Sequence, residues 1–84
     1  MPSPTISKDQ AIAAGTLLPS ADSLGSLLRS RRKELGYTQE FVANMLEFSP
    51  RLIGEIERGR GTVAFDRMLA YASGLGIDLV AFAR

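Results

Sequence analysis

The 84-residue chain has no cysteine and no histidine. Without thiols there are no disulfides, thiolate zinc sites or cysteine nucleophiles; without imidazole the commonest acid/base catalyst at neutral pH is missing. The carboxylates, serines and lysines that remain form no readable set of nucleophile, base and orienting group, so no catalytic site, metal or cofactor is expected. No apolar run is long enough to span a bilayer, and the N-terminus lacks the charged-then-apolar layout of a secretory signal; a cytoplasmic location is the expectation. Charge of one sign is also scarce. A net charge of +1 would not by itself point to nucleic acid. Its distribution is uneven, however: Arg29, Arg31, Arg32, Lys33, Arg51, Arg58 and Arg60 make up seven of the ten basic residues. A chain this short, with neither disulfide nor metal, often relies on a partner or on self-association for stability.

Residues 1–19 hold three of the four prolines and little apolar periodicity, and read as a flexible arm. A short helix from Ser7 to Ala14 is the alternative there. The patterned region spans residues 20–76. Ser20 is a good N-cap, Asp22 suits a first turn, and Leu24, Leu27, Leu28 and Leu35 share a face, so the first helix runs about Ala21 to Leu35 with Gly36 as its stop. Thr38 caps a short second helix whose core stripe is Val42, Ala43 and Leu46. Ser49-Pro50 then starts a third, Pro50 to Arg58, ended by Gly59. Two short amphipathic helices joined by about Glu47 to Ser49 are the signature of a helix-turn-helix. A fourth helix, about Ala64 to Ser73, is expected to bury Phe65, Met68, Leu69 and Ala72. The tail from residue 77 to 84 is rich in β-branched and aromatic residues and reads as one strand, with Ile77, Leu79, Val80 and Phe82 as its dimerisation positions. A lone strand wants a partner: a two-fold mate, or Thr16-Leu17-Leu18 of the same chain.

On a wheel of about 100° per residue the third helix divides into an apolar side, Leu52, Ile53 and Ile56, and a polar side. A helix so divided can lie in a major groove, which places Pro50, Arg51, Gly54 and Glu55 against base edges. Arg51 suits a two-point contact with guanine, Glu55 can accept from cytosine, and Gly54 allows close backbone approach. The plainer reading leaves Arg51 as a solvated charge. Thr38, Gln39, Ser49, Arg58 and Arg60 suit phosphate contacts, although Arg58 and Arg60 would equally compensate a helix C-terminus.

The run Thr38-Gln39-Glu40-Phe41-Val42-Ala43, then Ser49, Ile53 and Ile56-Glu57-Arg58-Gly59, resembles the lambda-repressor/Cro-like (XRE) helix-turn-helix family. That resemblance covers about Ser20 to Leu75. It implies an all-α domain of four to five helices, a Gln39 that touches the DNA backbone, and a buried structural ion pair between Arg32 and Glu57. The chain departs from the family pattern at Glu47, where a turn glycine is common, at Pro50, and at Arg31, where a core leucine is frequent. Leu24-Gly25-Ser26-Leu27-Leu28-Arg29, Arg32 through Gln39, Phe65-Asp66-Arg67-Met68-Leu69 and Leu75 through Val80 are similar to HipB-type antitoxins. In that group a strand after the last helix pairs across a dimer, and the protein represses its own operon and holds a HipA-like serine/threonine kinase toxin inactive.

The resemblance thus implies a homodimeric repressor and antitoxin on an inverted-repeat operator of double-stranded DNA. The alternatives are a free-standing regulator without a toxin partner, and a protein-interaction module that uses the fold without DNA. The Phe41 side of the second helix, Tyr71 and the N-terminal arm are candidate partner surfaces.

Overall fold

A computed structural model describes residues 15–81 and 83. Four helices succeed one another among them: α1 (Ala21–Glu34), α2 (Gln39–Leu46), α3 (Pro50–Glu57) and α4 (Phe65–Gly74). The first three begin at side-chain caps. Ser20 Oγ accepts from Ser23 N at 3.2 Å, Thr38 Oγ1 from Phe41 N at 3.0 Å, and Ser49 Oγ from Leu52 N at 3.1 Å. Each bond satisfies a backbone donor that the helix itself leaves without a partner.

The stops share one geometry. Tyr37 N reaches back to Arg32 O, Phe48 N to Ala43 O, Arg60 N to Glu55 O and Ile77 N to Ala72 O, all at 2.8–3.1 Å. These six-to-one closures need a left-handed residue just before the donor. Gly36, Gly59 and Gly76 supply it with φ near +74°, but Glu47 supplies the one in the helix-turn-helix, at φ +58°. A side chain in that conformation costs about 1–2 kcal/mol, against the roughly 0.5–1 kcal/mol entropic penalty of glycine. Glu47→Gly is therefore expected to stabilise the fold by about 0.5–1 kcal/mol, read as a higher urea midpoint at unchanged slope.

α3 packs against both α1 and α2, and α4 packs against α2. Leu28, Val42, Ile53, Ile56 and Tyr71 are wholly excluded from solvent and form the centre, with Leu24, Ala43, Met68, Ala72 and Leu75 around them. Each fully buried aliphatic side chain contributes about 1.5–3 kcal/mol relative to exposure. α1 crosses the end of α3 closely enough that a Cβ on Gly25 would lie 2.5 Å from Ile56 O and 2.7 Å from Glu57 O. Arg31 departs from the family's apolar choice with a role of its own: its Nε donates to Leu75 O at 3.0 Å and ties α1 to the end of α4.

Several expectations are corrected. Phe65 and Leu69 are exposed, because the side of α4 that carries them faces neither α2 nor the core. Tyr71 is no surface residue; its ring fills the core and its hydroxyl is bonded internally. Among the described residues the tail forms no strand, and no backbone hydrogen bond joins it to Thr16, Leu17 or Leu18. Burial nevertheless alternates along it, with Ile77 and Leu79 half-buried against the core and Asp78 and Val80 exposed. Phe82 and the Ser7–Ala14 helix fall outside the described residues. No helix among the described residues is long and apolar enough to cross a membrane.

Candidate nucleic-acid interface

Three physical features set the orientation of α3. Ile53 and Ile56 anchor its inner side at zero exposure. The Ser49 cap fixes its start. Glu57 fixes its end, and that carboxylate is the polar hub of the molecule. Arg32 donates to it twice, Nε to Oε2 at 2.7 Å and Nη2 to Oε1 at 3.0 Å, while Nη1 bonds Tyr37 O at 2.8 Å. Gln39 Nε2 adds a bond to Oε1 at 3.2 Å, and the Tyr71 hydroxyl donates to Oε2. Arg32 lies on α1, Gln39 on α2, Glu57 on α3 and Tyr71 on α4, so one carboxylate links all four helices.

The electrostatics follow from that geometry. Burial opposes charge on Glu57, but the donors from Arg32, Tyr71 and Gln39 outweigh it and hold the carboxyl below its usual range. The bonds to Glu57 raise Arg32 further, against the opposing effect of burial. Burial, then the bond to Glu57, pushes the Tyr71 hydroxyl up. Every buried side-chain polar atom among the described residues has a partner.

The outer side of α3 carries the exposed Pro50 and Arg51, with the half-buried Glu55 at its edge. The Arg51 side chain is 87% exposed, and its Nε meets Glu55 Oε1 at 3.3 Å. This surface pair contributes at most about 1 kcal/mol to stability. Its geometric effect matters more: only Nε is engaged, and among the described residues the two terminal amino groups have no partner, which leaves them available for the two-point contact that guanine requires. Glu55 thus acts as a tether for Arg51, a role its sequence position as a cytosine acceptor did not suggest. Gly54 is buried rather than exposed on the outer side of the helix, because the Arg58 guanidinium lies over it; it is reached only from the notch at the flank of α3.

Thr38, Ser49, Arg58 and Arg60 are exposed and Gln39 is half-buried. The Thr38 and Ser49 hydroxyl oxygens accept cap bonds, which leaves each O–H able to donate to a phosphate. Gln39, Gly54, Glu57 and Arg58 come together in one open notch where α1, α2 and α3 meet; Ser26 and Arg29 complete its wall. Sequence reading assigned neither of those two to the site, although Arg29 is one of the seven clustered basic residues. Arg60 lies in the loop after α3, away from that notch.

A family model described as helix-turn-helix matches residues 28–82, more than half of the chain. The chain belongs to the XRE-type helix-turn-helix family of DNA-binding regulators. Among solved structures, its fold is similar to that of a serine-to-alanine variant of HipB in complex with an O2 20mer. The TM-score is 0.75 at 15% identity, over 81% of this chain and 94% of that one. No curated protein matches the sequence.

Proposed function

We propose that this protein is a homodimeric, sequence-specific repressor, rather than an enzyme, that reads an inverted-repeat operator through α3. The observation that carries the reading is the arrangement of Arg51: it is exposed on a helix whose back is locked into the core, with Nε held by Glu55 and its terminal amino groups without a partner among the described residues. Pro50, Arg51 and Glu55 form the base-facing surface, and Thr38, Gln39, Ser49, Arg58 and Arg60 bind the flanking backbone. Residues 20–76 hold the DNA and residues 77–84 hold the second copy. The exposed Phe65, Leu69 and Val80 and the alternating burial of the tail support pairing between two copies, since an edge with one apolar face gains most by joining its own two-fold mate. Two α3 helices would then meet successive turns of one face of the duplex, about 34–36 Å apart.

Selection from random duplexes followed by competition tests this directly. A palindromic site should emerge, and Arg51→Ala should weaken preference for one base pair per half-site by roughly tenfold, within the range of a two-point arginine–guanine contact. A base-preference profile untouched by that substitution would refute the role of Arg51.

We infer further that the protein is an antitoxin that represses its own operon and neutralises a HipA-like serine/threonine kinase. The supporting features are the similarity of the α1 and α4 sequences to HipB-type antitoxins and the shared fold. Co-expression with the adjacent reading frame should yield a stable complex with kinase activity suppressed. Kinase activity that persists in the presence of excess protein, or a neighbouring frame that encodes no kinase, would favour the free-standing regulator.

A further inference from the structure

Arg58 has an unusual position. A Cβ built on Gly54 would lie 3.1 Å from Arg58 Nη1 and 3.8 Å from both Cζ and Nη2. The guanidinium therefore lies back across α3 over the place where any other side chain would begin, as residues one turn apart on a helix allow. From there it lines the notch that Arg29 enters from α1, beside Ser26 and Gln39. Glu57 also lines it, but that carboxylate is already paired with Arg32. Neither Arg29 nor Arg58 pairs with a carboxylate among the described residues. Gln39 gives one amide hydrogen to Glu57 and has a second to offer. With α3 in a major groove, the groove wall passing this flank is a sugar–phosphate strand.

The geometry points to a two-arginine seat in which Arg29 and Arg58 together hold one backbone phosphate, with Gly54 as the positioning residue that lets Arg58 reach it. Gly54 works by making room for Arg58 and does not itself approach the DNA. The inference rests on the DNA-binding reading above and adds Arg29, Ser26 and the dependence of Arg58 on Gly54.

The test is a salt titration of binding to a random-sequence duplex, with thermal melts of every variant. Arg29→Ala and Arg58→Ala should each weaken binding, roughly tenfold, as loss of a charged hydrogen bond does. The double variant should flatten the log–log salt slope by about one, because only one phosphate is released. Gly54→Ala should melt a few degrees higher, since alanine is the better helix former and the atom it meets is the movable end of a side chain. It should nonetheless bind about as weakly as Arg58→Ala, and add nothing in an Arg58→Ala background. A slope change of about two in the double variant means separate phosphates and overturns the seat. So does a Gly54→Ala protein that binds like wild type, or one whose defect persists undiminished without Arg58. Wild-type protein that binds no duplex at low salt overturns both the seat and the regulator reading; wild-type binding with unaffected variants overturns the seat alone.

Discussion

Substituting glutamine for Glu57 is expected to remove about 3–5 kcal/mol of folding stability, enough to unfold much of the population of so small a domain. The amide preserves shape but not charge. It leaves the Arg32 guanidinium, only 8% exposed, without its counter-ion, and it sets an NH2 group against the donors of Arg32, Tyr71 or Gln39. The measurement is a urea melt; a loss below about 1 kcal/mol would mean that the pair behaves like an exposed one. The wild-type pH profile should carry the same signature. The Glu57 carboxyl is lowered in the folded state, so its contribution is complete above the unfolded carboxyl value near 4.3 and is lost as pH falls through the lower folded value. The Tyr71 hydroxyl is raised, so its contribution is complete below the unfolded value near 10 and is lost as pH climbs toward the folded one. Glu57→Gln should flatten the acid limb.

Gly25→Ala should be nearly as damaging, at about 2–3 kcal/mol, although alanine is the better helix former at an interior position. The added methyl meets two carbonyl oxygens of the α3 backbone within 2.7 Å. Neither can rotate away, so α1 and α3 must move apart and open the core around Leu24, Leu28 and Ile56. For a domain of this size the melting temperature should fall by roughly 10–20 °C. An unchanged melting temperature would show that the helices can shift at little cost. The contrast with Gly54 is informative, because there the obstructing atom is the tip of a side chain and the same substitution stabilises.

What the sequence disclosed and what it withheld divide by the range of the forces involved. The caps at Ser20, Thr38 and Ser49 and the stops at Gly36, Gly59 and Gly76 are settled within a few residues of themselves, so they could be read directly. The inner side of α3 was equally plain, because Ile53 and Ile56 sit at helical spacing. Gly25 gave no such sign beyond its place in a resemblance: its constraint is the backbone of a helix thirty residues on. Phe65 and Leu69 were expected inside because they continue an apolar stripe, but an apolar stripe does not say whether its partner belongs to the same chain. Tyr71 was misplaced for the converse reason, since a polar tip looks like a surface residue until a buried acceptor is found for it. Of the candidate site, the exposure of Pro50 and Arg51 on α3 was legible, while the burial of Gly54 was not. The tether between Arg51 and Glu55 and the notch shared by Arg29 and Arg58 depend on side-chain directions that spacing alone does not give.

The gathering of donors from α1, α2 and α4 onto a carboxylate at the end of α3 has a mechanical consequence. On the proposed reading α3 resists tilting by itself, because its rotation strains the bonds to Arg32, Gln39 and Tyr71 together. Misfit between such a protein and its operator would then fall on the duplex, as bending or twisting. Base pairs that no side chain touches, above all those between the half-sites, would be selected for their pliability.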